Sequence, residues 1–126
     1  YMLLFVGMDW YKGLSPEQTQ RVSEDWMAWF KGLMADGKAV AGHPLGFDGK
    51  GVSGKNARVT DGPFAESKEV IGCYFMLDVA TMDEAVEIAR QCPGLPFGAK
   101  VEVRPVLGEC PLAPENKIEE ELAVAK

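Results

Sequence analysis

Hydrophobic and polar positions alternate between two periods along this chain. Met2 to Met8 is an unbroken apolar run, the pattern of a central strand covered on both faces. Val22, Trp26, Trp29, Phe30 and Leu33 then recur at helical spacing. Ser15-Pro16-Glu17-Gln18 before them is a capping box with proline at the first helical position, and Asp36-Gly37 after them is a stop. Lys38 to Leu45 predicts a second strand, Gly46 to Gly54 a mobile glycine-rich loop with room for a lid role, and Asn56 to Thr60 a short strand. Ile71, Cys73, Phe75, Leu77 and Val79 line one face of the next strand, with Tyr74 and Met76 on the other. Thr81 to Glu84 repeats the capping logic for a short helix carrying Ala85, Ile88, Ala89 and Cys92, ended by Pro93-Gly94. Val101 and Val103 alternate with Lys100, Glu102 and Arg104 in a last strand that stops at Pro105.

The order is β-α-β followed by β-α-β. It predicts an α+β, ferredoxin-like domain over residues 1–106: an antiparallel sheet, two helices on one face and a hairpin inserted between the halves. If both helices cover one face, Tyr74 and Met76 on the other need a partner, and packing sheet against sheet in a homodimer supplies one. Residues 107–126, with prolines at 111 and 114 and an acidic stretch from Glu115 to Lys126, predict a linker and a weak helix reaching over the surface or to the partner subunit.

Composition narrows the class of function. In 126 residues, 47% hydrophobic and 25% charged is an ordinary globular balance, enough for one core and not two. The net charge of −6 is shared evenly between residues 1–106, with 11 basic and 14 acidic groups, and residues 107–126, with 2 and 5. No basic face emerges, which argues against nucleic acid or an anionic membrane as partner. The apolar start lacks a basic leader and is too short to span a bilayer, and the absence of an initiating Met suggests a residue or two upstream. Cys73, Cys92 and Cys110 are odd in number and lack metal-ligand spacing, which suits a cytoplasmic protein without disulfides or bound metal.

Candidate chemistry is sparse. Gly49-Lys50-Gly51-Val52-Ser53-Gly54-Lys55-Asn56 comes within one residue of a phosphate-binding loop, but Asn56 stands where Ser or Thr should hold magnesium, and a strand follows where a helix is required. His43, the single histidine, is the natural candidate for proton transfer, or equally a half-exposed packing residue beside Pro44. In Thr60-Asp61-Gly62-Pro63-Phe64-Ala65-Glu66, Gly62 is pushed toward extended geometry by the proline after it, and Pro63 has no N–H. The first local donor for the Asp61 carboxylate is therefore the N–H of Phe64, so Asp61 is either a cap for a short helical turn or a polar anchor in a pocket. His43, Asp61, Glu66 and Arg104 are the polar groups most able to meet near the open sheet face, Arg104 offering a fork for a carboxylate or phosphate. Bland alternatives stand beside these: Arg104 as an edge-strand charge, Glu66 with Lys68 as a solvated pair, Trp26, Trp29 and Phe30 as core, and Cys73 as an inert buried thiol.

The Asp61-Gly62-Pro63-Phe64 element, with Gly72-Cys73-Tyr74-Phe75-Met76-Leu77-Asp78-Val79 and Val101-Glu102-Val103-Arg104-Pro105-Val106, resembles the DGPF-type branch of the YCII-related proteins, from about Met2 to Val106. The resemblance implies a dimeric α+β barrel. In the wider family, a histidine on the first helix and an aspartate near the end of the second form a proposed catalytic pair. Here the helix from Pro16 to Asp36 has no histidine and Arg90-Gln91-Cys92-Pro93 has no aspartate, so the pair does not carry over. The Asp61-Gly62-Pro63-Phe64 element alone transfers residue by residue, and the leading expectation from the residues themselves is a small-molecule-binding, regulatory domain without cofactor, its ligand held by Asp61, His43 and Arg104 in a cleft between the sheet and the glycine-rich loop. DGPF-type proteins also resemble accessory partners of sigma factors. Two rivals are an enzyme needing neither metal nor cofactor, with His43 or a carboxylate as base on a small organic acid, and a protein-interaction module acting through the acidic tail.

Overall fold

The computed structural model describes residues 1–7, 9–46, 48–62 and 70–117. Its centre is a four-stranded antiparallel sheet built from β1 (Met2–Val6), β2 (Ala39–Pro44), β5 (Ile71–Leu77) and β6 (Lys100–Arg104), in the order β2-β5-β1-β6. Helices α1 (Pro16–Ala35) and α2 (Met82–Ala89) complete the two β-α-β halves. This is the expected ferredoxin-like arrangement, with the first strand of each half side by side in the middle.

Both helices start where their capping residues stand. The Ser15 hydroxyl accepts from the Gln18 N–H (3.1 Å) while the Ser15 N–H donates to Gln18 Oε1 (2.9 Å), closing the capping box. Thr81 caps α2 by accepting from the Glu84 N–H. Strand alternation then sorts the sheet. Leu3, Phe5, Phe75 and Leu77 are buried with Leu33, Ala85, Ile88, Ala89 and Cys92 under the helices. Aromatic rings dominate the middle of this core: Phe5 lies 4.7 Å from Phe75 and 4.8 Å from Trp26 between ring centroids, both edge-on. Met2, Leu4, Tyr74 and Met76, opposite one another across β1 and β5, are half-buried on the other face.

Three local expectations are corrected. The stretch from Gly46 to Gly54 is not all loop, since Lys50–Ser53 forms β3, which pairs with β4 (Arg58–Asp61) in the inserted hairpin. Alternating residues of β3 find a complete partner ladder in β4, and the glycines serve its ends: Gly54, φ +80°, opens the turn and Gly62, φ +72°, closes the hairpin as its N–H donates to the Gly49 carbonyl (2.6 Å). Gly62 thus takes the positive φ that glycine alone reaches without strain, rather than the extended geometry expected before proline. The third concerns the tail, where Glu109–Cys110 (β7) and Ala113–Lys117 (β8) form a second hairpin. The backbone from Ala113 to Lys117 pairs antiparallel with Glu109–Cys110, Lys117 opposite Glu109, so Glu115 to Lys117 run as strand; residues 118–126 lie outside the described residues. Among the described residues, no helix is long and apolar enough to cross a membrane.

Candidate functional site

One stripe of α1, Thr19, Val22, Ser23, Trp26, Met27 and Phe30, follows the three- and four-residue spacing of a single helix face and does not close fully on the sheet. Small residues line the sheet side of the gap. Gly42 on β2 lets the rings of Phe30 and Phe75 come up against its backbone, Cys73 lines the wall from β5, and Gly7 and Gly72 border the same end. The result is a cavity of about 450 Å³ between α1 and the β2–β5 end of the sheet, floored by Phe5 and Phe75. The chain from Gly7 to Leu14 forms its lip. There Trp10 stacks parallel to Trp26 (centroids 5.9 Å apart, planes 14° apart), and Tyr11 meets Trp10 edge-on at 5.6 Å. Gly94 lets these rings approach, because a Cβ there would lie 3.1 Å from both Trp10 and Trp26.

The lining is almost entirely apolar. Among the described residues around the cavity there is no carboxylate, lysine or arginine. The Cys73 thiol on its wall is pushed up to about 11 by desolvation, so it stays neutral and a poor nucleophile near pH 7. Hydroxyls at the rim come from Thr19, Ser23 and Tyr11, and the Thr19 hydroxyl already donates to the Ser15 carbonyl at 3.0 Å.

The residues singled out in the sequence occupy separate places. His43 borders the cavity, yet alternation sends its ring to the opposite face of the sheet. Gly42, its neighbour, faces Phe30 and Phe75 under the helices, and the His43 Nδ1 is 2.9 Å from the Tyr74 hydroxyl on the open face. Arg104 lies on β6, at the far edge of that face, three strand spacings or about 14 Å from β2. Asp61 ends β4, where its Oδ1 sits 2.6 Å from the Nζ of Lys50, its partner across the hairpin, with both side chains largely in solvent. Pro63, Phe64 and Glu66 lie outside the described residues, so the cap donor expected for Asp61 does too. His43 and Arg104 thus stand on the two edge strands of the main sheet, and Asp61 belongs to the separate β3–β4 hairpin. Among the described residues, no three His, Cys, Asp or Glu side chains come together as a metal site.

Comparison with known proteins fits this architecture. The YCII-related domain matches residues 3–108, most of the chain and all four strands of the main sheet. The protein belongs to the YCII-related family. An uncharacterized protein of Rhizobium meliloti (strain 1021) is similar over 49 residues at 43% identity, a stretch covering 38% of this chain and 40% of that relative. In this YCII-related chain the cavity draws on Trp10, Tyr11, Ser23, Gly42 and Cys73, which periodicity alone did not mark as a site. The signal was the meeting of a large aromatic stripe on α1 with glycine and cysteine on the strands beneath it.

Proposed function

We propose that this YCII-related protein is a small-molecule-binding domain whose ligand enters the cavity between α1 and the β2–β5 end of the sheet. One observation carries this: a cavity of about 450 Å³, walled by aromatic rings, with hydroxyls at its rim. Concave, mostly apolar sites with a few polar groups are the usual form of ligand pockets. Binding is favoured over catalysis because the single imidazole points to the other face and the cavity thiol is held neutral. A thermal-shift screen of small organic acids, phenols, phosphates and nucleotides against wild type and Ser23→Trp tests it, since an indole at that exposed rim position fills the cavity. A compound that raises the wild-type Tm and leaves Ser23→Trp unmoved supports the site; equal shifts in both place the ligand elsewhere.

The half-buried Met2, Leu4, Tyr74 and Met76 support a homodimer packed through the open sheet faces. A monomeric mass by light scattering at micromolar concentration would remove the dimer. A regulatory role, with ligand occupancy passed to a partner such as a sigma factor, extends the same reading by family resemblance. The hydrogen-bonded His43–Tyr74 pair favours a second reading, a cofactor-free enzyme with its acid–base pair on the open face. Turnover of a small organic acid that disappears in His43→Ala and persists in Ser23→Trp would favour that alternative.

A further inference from the structure

We propose that the cavity, taken as the ligand site above, selects a neutral, flat molecule of two or three fused rings. The volume sets the size. An apolar cavity of about 150 Å³ holds one benzene, so about 450 Å³ has room for roughly three ring equivalents. The walls set the shape. Trp10 and Trp26 lie parallel at one side, Phe30 joins them from α1, and Phe5 and Phe75 line the sheet side. A planar ring system gains offset-stacked and edge-on contacts on such walls, whereas a flexible chain gains only area and loses rotamer freedom.

Charge is selected against for a physical reason. An ionised group entering this lining gives up its hydration, and no described residue around the cavity offers an opposite charge. The Cys73 thiol, neutral near pH 7, supplies none either. One polar group on the ligand is still accommodated at the rim. Ser23 stands there one helical turn beyond Thr19, whose own hydroxyl is engaged with Ser15. The ligand therefore places its single hydroxyl or carbonyl at the Ser23 or Tyr11 hydroxyl and its rings inward.

Isothermal titration calorimetry at pH 7 tests this with 2-naphthol, 2-naphthoate and octan-1-ol on wild type and Ser23→Trp. The three probes separate a neutral bicyclic phenol, an anion on the same skeleton and a neutral flexible chain. The expected result is that 2-naphthol binds wild type at least about tenfold more tightly than the other two, a difference of about 1.4 kcal/mol, and loses that affinity in Ser23→Trp. Met27→Trp, at another exposed position on the same stripe, replaces Ser23→Trp should the latter fail to fold, as judged by circular dichroism. Naphthoate binding as tightly as naphthol overturns the selection for neutrality. Octanol binding as tightly overturns the selection for rings; if octanol also weakens in Ser23→Trp, the cavity still stands as a ligand site. No binding by any probe overturns the inference, and a silent thermal-shift screen alongside would remove the binding function with it.

Discussion

Gly42→Ala probes the close packing of Phe30 and Phe75 against β2 beside the cavity. A Cβ at this position would lie 2.7 Å from Cε1 of Phe30 and 2.8 Å from Cδ1 of Phe75, well inside the roughly 3.5–4.0 Å at which carbon atoms attract. Phe75 cannot yield: it is 3% exposed and wedged between Phe5 and Phe30, with centroids 4.7 and 4.6 Å away. Phe30 is half-buried beside the cavity, so its ring must move. Unobstructed, replacing a strand glycine by alanine stabilises by about 0.5–1 kcal/mol, whereas forcing a carbon into filled space costs about 1–3 kcal/mol. Taking central values leaves a net loss of about 1 kcal/mol, or roughly 3–5 °C in Tm for a chain of this size. Urea denaturation of wild type, Gly42→Ala, Phe30→Leu and the double variant measures it. Because Phe30→Leu removes the ring that the new methyl strikes, the double variant should lose less than the sum of the single losses. Wild-type or greater stability for Gly42→Ala, or strict additivity with Phe30→Leu, would refute the steric account.

Other expectations follow from the same geometry. Ser15→Ala should cost about 1 kcal/mol in urea unfolding, and adding Gln18→Ala should cost less than its single effect, because the capping box bonds are reciprocal. Asp61→Asn should lower stability by no more than about 0.5 kcal/mol, with the loss shrinking at high salt, since its ion pair with Lys50 is exposed; a salt-independent loss of about 1 kcal/mol would instead reveal a cap. Cys73 and Cys92 should resist iodoacetamide in the native protein at pH 7 and react in urea, as read by peptide mass spectrometry, because burial raises both thiols above their ordinary range. The native Cys73 pKa of about 11 lies above the ordinary value of 9.0, so its contribution to stability is complete below about pH 9 and falls as pH rises toward 11. Cys73→Ala should show a shallower loss over that window, and an unchanged slope would count against burial as the cause.

How much of the site could be read beforehand differs from residue to residue. Trp26 and Phe30 were legible as a helix stripe, and they do pack the core, but a period of 3.6 says only which face turns inward and not whether the facing strand fills the space. The lining across from it includes Gly42 and Cys73, more than 30 residues apart in the chain and brought close together across β2 and β5. His43 shows the same limit in reverse. Its chemistry was legible, but its direction hangs on strand register, and a shift of one residue would turn the ring from the open face into the cavity. Asp61 and Arg104 are both polar groups at strand ends, but one belongs to the β3–β4 hairpin and the other to edge strand β6 of the main sheet, an assignment that strand pairing decides and side-chain polarity does not.

The sequence by itself determined the local elements and their order, because capping boxes, stop signals and apolar periods act within a few residues of one another. From that order came the antiparallel ferredoxin-like sheet, since two β-α-β halves have few other ways to bury their faces. The ladder of the inserted hairpin and the extension of Glu115 to Lys117 rest on short-range pairing, Ser53 with Arg58 and Glu109 with Lys117, which side-chain periodicity does not mark. Only the tertiary structure decided that His43 turns to the open face and that a cavity remains beneath α1, because those outcomes rest on contacts between residues far apart in the chain, where the volume of one side chain is weighed against the space another leaves.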